Sequence, residues 1–502
     1  MENAQYVAAV DLGTTKVVIA VGRRAEKGKV EIVALKEAPS LGIIKGDLKN
    51  IEQASHALKE VKQKIEEQLG ITISEAYVGI SGQHIRCNNT SGYVFVQTSD
   101  REVSEVSAAD VKRLKDEQRN SSTQLGQTII EVIPQSYKLD EDSEITEPVG
   151  MEGKRLEAKF NIIVGEEAAI ERIGRCFNRV GLTLAGIKLQ PLASAKAVLS
   201  DDEKELGVVV VDIGGGTTDV CIYHDKTIRH LAVIPFGGNV INRDIKADGI
   251  LERHVEKLKT TFGEAISAQA AAEKFINIPS VSGQAAKEVG VKRLAGIIEA
   301  RMSEIIDFVM FEIERSGYKG KLGAGLVLTG GGALLKNLDV LFKTQMGIDV
   351  RMAVPTVALT PESAEMVANP KYSTIVGMIV EALREGLYTH TEVRAMEPVE
   401  VPVESVAAEP HAAAWPRESY TPRATTSAAS MAPAQQQDVP LSQQDSYDEN
   451  SQQEYYSQED EYQEEPEPYT VDKTQKKGIK LRFKELISKM FEPEEVEDDD
   501  NY

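Results

Sequence analysis

The chain has 502 residues, enough for several domains, and a formal charge of −22 from 57 Lys and Arg against 79 Asp and Glu, which excludes the broad basic footprint of a nucleic-acid binder. The charge is uneven: residues 391–470 carry −14, 471–491 carry +5 and 492–502 carry −7, leaving −6 for residues 1–390. Three dispersed cysteines, Cys87, Cys176 and Cys221, supply neither a disulfide framework nor a zinc site and fit a reducing compartment.

At the N-terminus no basic stretch precedes an apolar one, and no apolar run approaches the roughly 18 residues needed to span a bilayer. Neither a secretory signal nor a transmembrane helix is expected. Residues 6–22, YVAAVDLGTTKVVIAVG, read as strand, Gly/Thr-rich turn and strand. Helical periodicity follows over Ile51 to Leu69 and returns over Val291 to Ile313, among β-branched runs such as Val208 to Val211 and Leu326 to Leu328. The alternation predicts an α/β protein with mixed sheets.

Residues 207–223, GVVVVDIGGGTTDVCIY, repeat the plan of residues 6–22. A hairpin turn of glycines and small hydroxyls offers backbone N–H groups and Thr hydroxyls to an anion. The aspartate closing each first strand, Asp11 or Asp212, suits magnesium held through water, because magnesium keeps most of its hydration shell. Either turn alone could be only a turn. Two of them facing each other would clamp a triphosphate from both sides. A third glycine cluster, LVLTGGGALLKNL at 326–338, ends a buried-looking strand and is expected to open a helix, whose N-terminus favours a polar or negative ligand. It fits neither the dinucleotide nor the P-loop fingerprint, and by itself it could be a tight strand-to-helix turn.

These three pieces in this order resemble the phosphate-1, phosphate-2 and adenosine motifs of the actin, DnaK-type chaperone and sugar-kinase superfamily. Within it, AYVGISGQHI (76–85), VIPQSYKLDEDSEITEPVGMEGKRLEAKFNIIVG (132–165), GLTLAGIKLQPLASAKAVL (181–199) and RHLAVIPFGGNVINRDI (229–245) are similar to the bacterial division family FtsA. The resemblance covers nearly all of 1–390 and the terminal helix. It implies an actin-like, two-lobed ATPase fold of duplicated RNase H-like domains, with an inserted 1C domain in place of the small actin subdomain.

The implied bounds are 1A at 1–85, 165–200 and 355–390, 1C at 86–164, 2A at 201–244 and 317–354, and 2B at 245–316. A linker would cover 391–474, a helix 475–491 and an acidic tail 492–502. The resemblance also implies ATP and Mg2+ as cofactors. It places Gly13, Thr14, Thr15 and Lys16 on phosphate-1, Gly214, Gly215, Gly216, Thr217 and Thr218 on phosphate-2, and Gly330, Gly331 and Gly332 on the adenosine loop. Gly238 and Asn239 resemble a further loop near the nucleotide, and Glu256 and Lys259 the ribose and base contacts. Without the family, that last pair reads as a solvated ion pair on a helix face. Gln190 stands where superfamily ATPases orient the attacking water. A glutamine positions water but does not deprotonate it, so slow turnover is expected.

From 391 onward Pro, Ala, Ser, Gln and Glu dominate, too little apolar surface to offset ordering entropy, and a disordered acidic linker is expected. As a flexible coil its roughly 80 residues span about 50 Å. In KKGIKLRFKELISKMF (476–491), Ile479, Phe483, Leu486, Ile487 and Met490 form one helical stripe widened by Phe491, flanked by Lys480 and Lys484. Such a helix suits an anionic membrane surface. Docking on the core, binding a partner protein, or no fixed structure are the alternatives. One copy would bind weakly, and many copies along a polymer avidly.

The family implies a cell division protein that polymerises on the cytoplasmic face of the membrane at the septum and tethers the FtsZ ring, FtsZ docking on lobe 2B, together with other divisome proteins. Rival readings are a pilus-assembly protein of the PilM type, which usually lacks the linker and terminal helix, and a superfamily small-molecule kinase. A DnaK-like chaperone would need a β-sandwich after the core.

Overall fold

The structure is a computed structural model that describes residues 5–97, 104–141, 144–279 and 286–393. The chain divides into two units, Met1–Val403 and Glu404–Tyr502, and all described residues belong to the first. The expected amphipathic helix, with Ile479, Lys480, Phe483, Lys484, Leu486, Ile487, Met490 and Phe491, lies outside the described residues.

Two five-stranded sheets repeat one topology. In the first, Val30–Pro39, Lys16–Arg24 and Tyr6–Leu12 form an antiparallel meander, and Glu75–Ile80 and Thr183–Leu189 extend it in parallel. In the second, Thr227–Ile234, Thr218–His224 and Val208–Ile213 form the meander, and Leu326–Thr329 and Val350–Met352 are the parallel strands. The central strands are buried on both faces, which explains why they read as continuous apolar runs. Helices fill the crossovers that parallel pairing requires. Ile51–Leu69 starts at Asn50, whose side chain accepts from the Gln53 N–H at 3.1 Å, and stops at left-handed Gly70. Val291–Ser316 buries Leu294, Ile298, Met302, Ile305, Val309 and Ile313 along one face.

Residues Arg86–Phe95, Arg155–Glu166 and Gln127–Leu139 form a separate three-stranded sheet covered by the helix Ala108–Arg119. Leu156, Ala158, Phe160, Ile162 and Val164 point alternately into a core of their own with Val94, Leu114 and Val132. The insert thus carries an independent apolar centre on the first half of the chain.

The helices Gln190–Val198 and Ser373–Arg384 pack against each other. Their contact is close at one point: a Cβ on Gly377 would lie 1.8 Å from the Ala193 carbonyl oxygen. At the far end, Thr391–Val393 pairs with Ile71–Ile73, so three residues expected in the linker belong to a strand, consistent with their β-branched content. Substituting Gly377→Ala is expected to destabilise the fold by roughly 1–3 kcal/mol, since backbone cannot yield as a flexible side chain does. A shifted urea midpoint measures this, and an unchanged one would mean that the helices have room to spare.

Candidate functional site

The Gly/Thr turns close their hairpins in the same way. Leu12 pairs with Val17 and Ile213 with Thr218. The Gly13 N–H donates to the Lys16 carbonyl at 3.0 Å, and the Gly214 N–H to the Thr217 carbonyl at 2.9 Å. Their tips meet across a cleft: a Cβ on Gly215 would lie 1.9 Å from Thr15 Oγ1, and one on Gly216 would lie 2.4 Å from Thr14 Oγ1. Here glycine is imposed by the opposite turn, not by its own backbone angles.

Behind the second turn, the Gly238 and Asn239 N–H groups donate to the Gly214 and Gly215 carbonyls at 2.9 and 2.8 Å. Gly330 has φ +87°, and a Cβ there would meet Asp212 Oδ1 at 2.2 Å, so conformation and space both demand glycine. The glycine cluster does not open an α-helix directly. Gly331–Leu334 is a short 3-10 turn, and the helix Leu338–Met346 starts after left-handed Asn337.

Asp11, Gly13, Thr14, Thr15, Lys16, Gln190, Asp212, Gly214, Gly215, Gly216, Thr217, Gly238, Asn239, Glu256, Lys259, Gly330, Gly331 and Gly332 line one cavity of about 830 Å³. Thr218 does not line it: its side chain is fully buried and donates to the Phe236 carbonyl at 2.8 Å. Lys259 is buried, donating to the Gly238 carbonyl at 3.1 Å and paired with Glu256 at 2.7 Å. Glu256 is half exposed, so only the lysine departs from the solvated helix face that the pair suggests without the family.

The cavity floor is acidic. Asp11 accepts from Gln190 Nε2 at 2.9 Å, and Asp212 from the Ser194 and Thr374 hydroxyls. Burial pushes the Asp11 carboxyl up to about 6 although Lys16 opposes the rise, and burial likewise raises Asp212. Burial holds the Lys16 ammonium below its ordinary value; its Nζ donates to the Lys371 carbonyl at 2.5 Å.

A third carboxylate, Asp219, faces the same cavity, sits directly opposite Asp212 in the hairpin register and is raised well above the usual range by burial and by Asp212. Like charges so placed are destabilising unless a cation or proton neutralises them. Among the described residues no group of three or more His, Cys, Asp or Glu could hold a metal ion directly. Buried carboxylates at the edge of a roomy cavity fit a hydrated divalent ion held through water.

Sequence reasoning missed Asp219, Glu37, Lys371 and Thr374, all of which line the cavity. Asp219 had a signal: a carboxylate standing among apolar residues in a strand that proves to be buried. Lys371 and Thr374 had none, because they arrive at the cleft through tertiary packing. Lys371 pairs with Glu37 at 2.7 Å.

Two family descriptions match the chain, Cell division protein FtsA over residues 209–377 and the SHS2 domain inserted in FTSA over residues 82–164. The chain is 36% identical over 388 residues to the cell division protein FtsA of Pseudomonas aeruginosa, covering 77% of this chain and 91% of that one. The FtsA protein of Bacillus subtilis is 31% identical over 385 residues, covering 76% and 85%. The chain belongs to the FtsA family of cell division proteins. Its insert is the family's SHS2 domain. The solved PilM–PilN type IV pilus biogenesis complex shares the fold, with a TM-score of 0.52 at 13% identity over 75% of this chain and 98% of the other. The fold is therefore the actin-like one that the duplicated sheets display.

The acidic floor has a sign that can be measured. Asp11 binds its proton more tightly folded, near 6, than unfolded, near 3.8, so its ionisation lowers the stability of the ligand-free protein as pH rises between those values. Replacing Asp11→Asn removes that term. The stability difference between variant and wild type should grow by roughly 1–3 kcal/mol from pH 4 to pH 7, read from paired denaturant titrations. A difference independent of pH would remove the burial argument.

Proposed function

We propose that the cleft binds ATP with Mg2+ and that the protein is an actin-like division protein whose ATP-bound form polymerises on the inner face of the cytoplasmic membrane. The observation that carries the reading is the opposition of two anion-suited turns, Thr14 and Thr15 against Gly215 and Gly216, across a single cavity. On this reading both turns and Lys16 hold the phosphates. Lys259 and Glu256 face the ribose and base, and Gly330, Gly331 and Gly332 lie under the adenosine. Asp11 and Asp212 hold the ion's water shell. Magnesium would supply charge neutralisation at the phosphates.

Gln190 would orient a water near the terminal phosphate, its amide released from Asp11. An amide takes no proton at neutral pH, so hydrolysis is slow and ATP serves mainly as a conformational switch. The second half, with 245–316 as lobe 2B, would receive the FtsZ tail. The segment 475–491 would bind anionic lipid through Phe483 and its stripe. The solved PilM-containing complex keeps a pilus-assembly role as the second reading, and the basic amphipathic segment near the C-terminus favours the first.

Gly215→Asp is expected to abolish ATP binding, because any side chain there enters the space of Thr15 and a carboxylate repels phosphate. Fluorescent-nucleotide titration checks this, and unchanged affinity would count against the clamp. For membrane attachment, the full chain should co-sediment with anionic liposomes, more so with ATP. A version ending at Thr474, and Phe483→Glu, should remain in the supernatant. Equal sedimentation of all three would refute the tether.

A further inference from the structure

The insert and the cleft share a root. Ser81 follows the strand Glu75–Ile80 and precedes Gly82, where the SHS2 match begins. Gly46, at φ +77°, packs on this root: a Cβ there would lie 2.7 Å from the Ser81 carbonyl oxygen. The Gly46 N–H donates to Thr14 Oγ1 at 3.1 Å, at the tip of the first turn. In the other direction Ser81 Oγ donates to Asp219 Oδ1 at 2.7 Å, in the strand that leaves the second turn. Both groups of that bond are buried. Ser81 therefore contacts Gly46, which bonds the tip of the first turn, and Asp219, in the strand that leaves the second.

The insert is fastened again farther out. Gln135 Nε2 donates to the Ile228 carbonyl at 2.8 Å, Arg229 Nη1 donates to the Gln135 carbonyl at 2.9 Å, and Asn161 Nδ2 donates to the Arg229 carbonyl at 3.2 Å. Ile228 and Arg229 belong to the edge strand Thr227–Ile234, which pairs with the strand bearing Asp219. The insert grows from the first half of the chain, yet its polar contacts tie it to the hairpin of the second.

We infer that Ser81 is a positioning residue that transmits occupancy of the cleft to the insert, the ligand class being a polyphosphate with a hydrated cation. A ligand held between the turns changes the placement of the 218–234 hairpin against the first sheet. The same ligand brings positive charge near Asp219, which then has a stronger partner than a neutral hydroxyl. Both effects act on the Ser81–Asp219 bond, and the insert follows the hairpin. This inference rests on the nucleotide reading of the cleft.

The test uses the full chain with spin labels on Lys59→Cys, in the helix Ile51–Leu69, and Gln124→Cys, in an exposed part of the insert, in a Cys87→Ser background. Electron–electron distances are measured with and without ATP and magnesium, alongside titration with fluorescent ATP. The parent should bind ATP and shift its distance distribution. Ser81→Ala should bind within about threefold of the parent yet lose the shift, which is a loss of coupling without loss of affinity. Gln135→Ala, which removes a contact of the outer attachment and leaves the root intact, should reduce the shift as well. ATP binding with no shift in the parent, or a full shift in either variant, overturns the inference while the nucleotide reading stands. A parent that binds no nucleotide overturns both, and the fluorescence arm distinguishes the cases.

Discussion

The contact between Thr14 and Thr15 on one turn and Gly215 and Gly216 on the other organises this molecule. The turns come from hairpins in different sheets, so they meet only if both sheets hold their twist, register and separation. Register is strict, because a slip of one residue turns every side chain to the opposite face. Asp11 and Asp212 close equivalent strands, each beside a parallel neighbour, Gly79 or Thr329. Small residues recur wherever backbone must approach backbone or carboxylate, as at Gly330 beside Asp212 and Gly377 beside Ala193.

The crossing helices connect this site to the core. Ser194 on one helix donates to Asp212, and the Thr374 hydroxyl on the other lies within hydrogen-bond distance of both, 2.9 Å from Ser194 Oγ and 3.2 Å from the Asp212 carboxylate. Thr329 bonds to Ser373 at 2.6 Å at the start of the second helix. The carboxylate at the cavity floor is thus held by the same helices whose close packing joins the two halves. A change in its charge or partners bears directly on that packing, which is the physical requirement for a ligand to alter the arrangement of lobes. The insert is tied to the same hairpin twice, through Ser81 at its root and through its outer attachment to Ile228 and Arg229.

The fold was legible where local chemistry and periodicity agree. The apolar runs around DLGTTK and DIGGGTTD became strands with the turns in place, and Ile51–Leu69 kept its ends because Asn50 and Gly70 cap it. Legibility failed where position depends on distant chain. Thr374 meets Asp212 from 162 positions away, and nothing within the segment around Thr374 signals that encounter. The three-glycine run was read as a helix opener, whereas Gly330 is committed to a close approach to Asp212 and the chain needs a 3-10 turn and Asn337 before the helix forms. Thr218 belonged to the right motif, but alternation along the strand turns its hydroxyl to Phe236 instead of the cavity. Asp219, next along the strand, has the other orientation and faces the cleft.

That alternation bears on what the cleft is for. A floor bearing Asp11, Asp212 and Asp219, all buried and all raised, is unfavourable in isolation, and Lys16 only partly offsets it while its own ammonium is weakened by the same burial. Selection for stability alone would replace at least one of these carboxylates with an apolar or amide group. On the proposed reading, a cation at the cleft would offset the cost of burying these carboxylates. On that reading a polyanion would find the cation, Lys16 and the two turns facing it. Binding of such a pair stabilises the folded chain in proportion to the logarithm of ligand concentration over its dissociation constant. On that reading occupancy would act on the closeness of the two turns, and through Asp212 and Asp219 on both the packed helices and the insert.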